Sequence, residues 1–111
     1  MNETKPEYLS IPDVAEMLEI TPSQVRRLIE ERHLSAKRID NVLQIPALFL
    51  MNSETVSGLR GTLILLEDSG FSNDEAIDWV LSESEELGGT PIDELRKGHK
   101  APVRRAIQML A

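Results

Sequence analysis

A chain of 111 residues that is 41% apolar but only 4% aromatic has room for one compact domain or two very small ones, with a core of Leu, Ile, Val, Met and Ala. It holds no cysteine, which excludes a disulfide staple and any Cys-ligated zinc and fits a reducing cytoplasm. The net charge of −7 speaks at first sight against a polyanionic partner, yet the charge is segregated. Residues 24–38 carry five Arg/Lys against two Glu, residues 54–95 set one Arg against eleven acids, and residues 96–111 hold five bases and no acid.

Residues 1–7 are polar, include Pro6 and read as a loose tail without the basic-then-apolar order of a signal peptide. Thr4 within it is a candidate for phosphorylation, which would add repulsion towards an anion. Tyr8-Leu9 leads into Ser10-Ile11-Pro12-Asp13, a helix start in which Ser10 caps, Asp13 completes a capping box and Pro12 fits the first turn. Ile11, Val14, Ala15 and Leu18 follow at helical spacing, and the pattern stops at Glu19-Ile20. Thr21-Pro22-Ser23-Gln24 opens a second helix with Gln24 reaching back to the cap, and Val25, Leu28 and Ile29 are its inner stripe. Two helices joined so tightly must cross. Next, Leu34–Ile39 and Val42–Ile45 flank Asp40-Asn41, both tolerant of positive φ, which predicts a hairpin. Pro46 ends it and starts a short helix through Ala47–Met51, the longest apolar run and far too short to span a bilayer.

The second half reads as helical. Ser57 opens a helix carrying Leu59, Leu63, Ile64 and Leu66, closed by Gly70. Ser72 through Glu75 is a capping box ahead of Ala76, Ile77, Trp79, Val80 and Leu81, with Trp79 assigned to the core. Glu83–Glu86 and Gly88-Gly89 form a loop, Thr90 starts a short helix ending near Gly98, and Pro102 starts the last helix with Val103, Ala106, Ile107 and Leu110 inward.

A helix-turn-helix wants apolar residues at a start position and then 4, 6, 11 and 14 residues later; Val14, Leu18, Ile20, Val25 and Leu28 stand there, with small Ala15 at the crossing. Glu19 occupies the turn position that is often Gly, where a left-handed conformation costs a side chain something. With the apolar stripe inward, Ser23, Gln24, Arg26, Arg27 and Glu30 face out. Arg can fork onto guanine, Gln can pair with adenine, and Ser23 at the helix start suits a phosphate. Lys37 and Arg38 stand before the hairpin tip, where a wing reaches backbone or minor groove; Arg32 and His33 read as phosphate neighbours or plain surface. The bland alternative is a solvated face, with Glu30 paired to Arg26 or Arg27.

Tyr8-Leu9-Ser10-Ile11-Pro12-Asp13-Val14-Ala15 through Ile45-Pro46 resembles the excisionase/MerR-like winged helix-turn-helix domains. Leu59-Arg60-Gly61-Thr62, Gly70-Phe71-Ser72, Glu75-Ala76, Trp79, Pro91-Ile92-Asp93, Leu95-Arg96 and Val103-Arg104-Arg105 extend the likeness to a small actinobacterial family of DNA-binding regulators that joins such a domain to a C-terminal helical one. The resemblance implies DNA binding with Gln24, Arg26, Arg27, Lys37 and Arg38 at matching places. The MerR dimerisation helix has no counterpart in the sequence.

No catalytic reading survives. There is no Cys, His33 and His99 lie in basic polar segments, and Gly88-Gly89-Thr90 lacks the Lys-Ser/Thr ending of a phosphate loop. The acids at 67–68 and 83–86 read as solvated, so neither metal nor cofactor is expected. The expectation is a mainly α fold: a tail (1–7), a winged helix-turn-helix with a short β-hairpin (8–52), and a small C-terminal helical bundle packed on it (53–111). Its helix 22–31 would enter the major groove of double-stranded DNA with hairpin 35–45 as wing, in a cytoplasmic regulator that is monomeric for want of a coiled coil, a dimer staying open. The alternative is an adaptor or antitoxin-like module gripping a protein through the C-terminal helices. Arg96, Lys97, Lys100, Arg104 and Arg105 read either as a second phosphate patch or as partners of the acidic middle.

Overall fold

The computed structural model describes residues 7–110, so Thr4 and all of the expected tail but Glu7 lie outside the described residues. The fold is mainly α, a winged helix-turn-helix followed by a helical second half. Strand β1 (Tyr8–Ser10) runs directly into α1 (Ile11–Leu18). Ser10 is both the last strand residue and the helix cap, its hydroxyl accepting the Asp13 N–H at 3.2 Å. Asp13 makes no return bond among the described residues, so the expected capping box is half formed; Ser10 is already paired in register with Gln44.

Glu19 takes the left-handed conformation (φ 60°, ψ 45°) that the tight turn demands. Helix α2 (Pro22–Glu30) starts with a complete box: Thr21 Oγ1 accepts the Gln24 N–H at 3.1 Å and Gln24 Oε1 accepts the Thr21 N–H at 2.8 Å. Strands β2 (Lys37–Ile39) and β3 (Val42–Pro46) form the wing about Asp40 and Asn41, at φ 52° and 66° as a two-residue hairpin turn with both φ positive requires. The hairpin is shorter than its sequence run: Leu34, Ser35 and Ala36 are buried ahead of β2 without joining it. Strand β1 completes an antiparallel sheet in the order β1-β3-β2, with Tyr8 opposite Pro46 and Lys37 opposite Gln44.

The expected helix through Ala47–Met51 is only a 3-10 turn, Ala47–Phe49. The chain then makes a second, minimal hairpin from β4 (Leu50–Met51) and β5 (Glu54–Thr55), turning through Asn52 and Ser53 at φ 55° and 62°. Helix α3 (Leu59–Asp68) is capped by Gly58, not opened by Ser57. Gly58 sits at φ 89°, and a Cβ there would lie 2.9 Å from Lys100 Cγ and 3.2 Å from Leu95 Cδ2, so a side chain would be strained in the backbone and would have to displace its neighbours. Helix α4 (Asn73–Leu81) has the expected Ser72–Glu75 box and α5 (Pro91–Arg96) is capped by Thr90. Helix α6 (Lys100–Gln108) begins two residues before Pro102, a ring the first turn accommodates. Trp79 is half-buried at the core's edge, and Leu110, expected inward, is exposed.

One hydrophobic cluster runs through both halves. Val14, Val25, Leu34, Ile45 and Phe49 join Leu59, Leu63, Leu66, Ile77, Ile92, Val103 and Ile107 without a break. No helix among the described residues is long and apolar enough to cross a membrane.

Candidate nucleic-acid interface

The cap at Thr21 fixes where α2 begins, and Val25, fully buried, fixes which face turns inward. Successive residues then step about 100° around the axis. Ser23 and Arg27 fall on one exposed line, Arg26 on one flank and Gln24 on the other, all four exposed. Neither Arg26 nor Arg27 pairs with a carboxylate among the described residues. Glu30 is not their partner; its carbonyl accepts from Arg32 Nη1 at 2.9 Å. Gln24 makes the expected return bond to the cap, and the amide oxygen that it uses there is the one that two-point pairing with adenine also needs. Beside Gln24 and Arg27 lies an open groove of about 450 Å³ with Leu18, Ile20 and Leu28 as its apolar lining and Glu54 and Thr55 of β5 as its far wall. The sequence reading missed this second hairpin.

The two wing cations diverge. Arg38 is exposed and donates from Nη1 to the Asn41 carbonyl at 3.1 Å, which folds it over the tip of its own hairpin. Lys37 points the other way, to an ion pair between its ammonium and the Asp78 carboxylate of α4, with its side chain only 20% exposed. Arg32 is likewise no free phosphate neighbour. Its Nε reaches both Glu67 oxygens at 2.9 Å, and Arg32 itself has φ 69°.

These two pairs belong to a set that ties the winged half to the helical half. Arg60 Nε donates to the Glu31 carbonyl at 2.8 Å, at the end of α2. Asn73 accepts from Ser35 Oγ at 2.7 Å and donates to the Ala36 carbonyl at 2.9 Å, under the wing. Arg96 Nη1 donates to the Leu48 and Leu50 carbonyls at 2.8 and 2.6 Å, satisfying a stretch of backbone that no sheet completes. The segment between α2 and β4 is thus anchored from α3, α4 and α5.

The Asp78 carboxylate that accepts its proton holds Lys37 above the ordinary lysine value of 10.5, against a smaller opposing effect of partial burial. A folded-state value above the unfolded one means the pair's contribution is fully present below pH 10.5 and is lost as pH rises through the folded value. Asp78 is largely exposed, so the contribution is modest. Asp78→Asn is expected to lower the thermal midpoint by no more than about 4 °C at pH 7. Melting curves of variant and parent should converge above the folded-state value, and a gap that persists there would contradict the pairing.

Among the described residues no group of His, Cys, Asp and Glu is arranged to hold a metal ion. Residues 3–50 match the family profile described as "DNA-binding protein Rv2175c, wHTH domain", and residues 56–111 match "Rv2175c C-terminal domain of unknown function". A relative from Mycobacterium tuberculosis (strain ATCC 25618 / H37Rv), named DNA-binding protein Rv2175c, is 30% identical over 124 residues, covering 100% of this chain and 84% of the relative. The solved NMR structure of Rv2175c superposes with a TM-score of 0.81 at 28% identity, over 98% of this chain and 84% of that one. Matched by one profile across its winged half and by the other across its helical half, the chain belongs to the Rv2175c family.

Proposed function

We propose that this protein binds double-stranded DNA and regulates transcription, laying α2 in the major groove with the β2–β3 hairpin as wing. Ser23, Arg26 and Arg27 meet the duplex from the helix and Arg38 from the wing; Gln24 contributes its amide protons, and Lys37 acts through its grip on Asp78. The observation that carries this reading is the pair of exposed arginines on a capped helix, neither compensated by a carboxylate among the described residues in a chain of net charge −7. The name of the M. tuberculosis relative agrees with it. The division at about residue 52, the kinship with excisionase/MerR-like domains, a monomeric state and a place in the cytoplasm, on the nucleoid when DNA is bound, are parts of the same proposal. No catalytic role is proposed.

Selection from random duplex DNA followed by titration over a range of salt tests the reading. Three arginine–phosphate contacts alone give a log–log salt slope of about −2.7, a loss of roughly 40-fold in affinity between 50 and 200 mM. No complex even at 50 mM would overturn it. A second reading, a protein partner on the C-terminal helices, draws on the open groove of about 540 Å³ where Phe71 and Trp79 lie half-buried.

A further inference from the structure

The five bases of residues 96–111 could serve the acidic middle of the chain or an outside anion, and the structure separates them. Arg96 is spent on the Leu48 and Leu50 carbonyls. Lys97 and His99 both lie against Glu94, at 3.7 and 3.0 Å. Lys100, Arg104 and Arg105 are exposed and have no carboxylate partner among the described residues. The last three therefore do not neutralise the eleven acids that precede them.

Lys100 and Arg104 stand one helical turn apart on α6 and line one cleft of about 260 Å³ with Gly58, Gly61, Thr62 and Leu65 of the α3 side. The Lys100 stem is laid across Gly58. Arg105 is absent from this cleft, about 100° further round the helix.

The cleft and the groove beside α2 are linked through the chain. Thr55 borders the groove it shares with Arg27 and Gln24, and Gly58 borders the cleft with Lys100 and Arg104. Two residues of chain, Val56 and Ser57, lie between Thr55 and Gly58, a span of at most about 11 Å. A B-form major groove is about 12 Å wide. A phosphate backbone bordering a groove occupied by α2 would have to extend about that far past Thr55 to meet the Gly58 wall of the cleft.

We propose that α6 is a second DNA-contacting element, in which Lys100 and Arg104 clasp the phosphate backbone flanking the groove that α2 occupies. This gives the C-terminal half a direct share in binding and rests on the DNA-binding reading above. Its contacts are to phosphate, so it adds affinity and register without sequence preference.

The test is a salt titration of the full-length chain on its selected duplex, for the parent, Lys100→Gln/Arg104→Gln and Arg105→Gln. Glutamine keeps the γ and δ positions that cover Gly58, and unchanged melting curves confirm the fold. The expected result is a slope shallower by about 1.8 for the double variant and an affinity roughly tenfold or more weaker at 0.1 M salt. Arg105→Gln should leave the slope unchanged, and the same bases should be selected throughout. A double variant with the parent's slope overturns the proposal, as does an equal loss per charge in Arg105→Gln, which marks overall charge and not contact. A parent that binds no duplex overturns the DNA reading and this inference with it, whereas a parent that binds while the double variant matches it overturns the inference alone.

Discussion

Replacing Arg26 and Arg27 together by alanine is expected to weaken duplex binding by about 2–6 kcal/mol, thirtyfold at the least, while leaving the melting temperature unchanged. Both side chains are exposed and neither has a carboxylate partner among the described residues, so their loss costs the fold little. Lysine replacements separate the two jobs an arginine can do. A Lys keeps the charge but not the planar fork that matches guanine O6 and N7. If either arginine reads a base, its Lys variant keeps the salt slope and loses preference at one position of the selected site. If both touch only phosphate, the Lys variants select the same sequence as the parent. Unaltered affinity in the double alanine variant, measured by anisotropy, would remove α2 from the interface.

The largest effect on stability is expected at Phe49. It is fully buried in the 3-10 turn between β3 and β4, and it belongs to the cluster that runs from Val14 to Ile107. Truncating such a side chain costs about 3–5 kcal/mol, a large part of the 5–15 kcal/mol that holds a typical domain folded. Phe49→Ala should lower the melting midpoint by about 12–20 °C. Because the core is continuous, helical and near-ultraviolet signals should be lost in one transition. Two resolved transitions would mean that the winged and helical halves fold separately despite their shared apolar contacts.

The parts of the fold legible in the sequence are those that three or four neighbouring residues decide. Thr21 with Gln24 and Ser72 with Glu75 close their boxes across three residues, and Asp40-Asn41 turns the wing on its own dihedral preferences. The spacing of Val14, Leu18, Ile20, Val25 and Leu28 carries the crossing of α1 and α2 over a longer stretch, because helical periodicity and the tight turn leave the two apolar stripes one way to meet. Strand β1 was hidden because three residues show no alternation and their partners in β3 lie more than thirty positions ahead. The β4–β5 hairpin has two residues a side, too few to declare themselves. In the candidate site, exposure of Arg26 and Arg27 followed from helix periodicity. The fates of Lys37 and Arg32 did not, since their acids stand 41 and 35 residues away on helices whose placement only the tertiary fold decides.

The latch between Gln24 and Thr21 has a consequence for which letters of a DNA site the protein would favour. With its carbonyl oxygen turned back to the chain, the carboxamide offers the duplex its protons, which suit guanine and thymine oxygens, purine N7 and phosphate, but not the two-point pair with adenine. Seating on adenine would require the carboxamide to let go of the backbone, at a cost of about 1 kcal/mol in helix initiation. Loss of the two-point contact at that step would thus come from the start of the helix itself, with no clash in the groove.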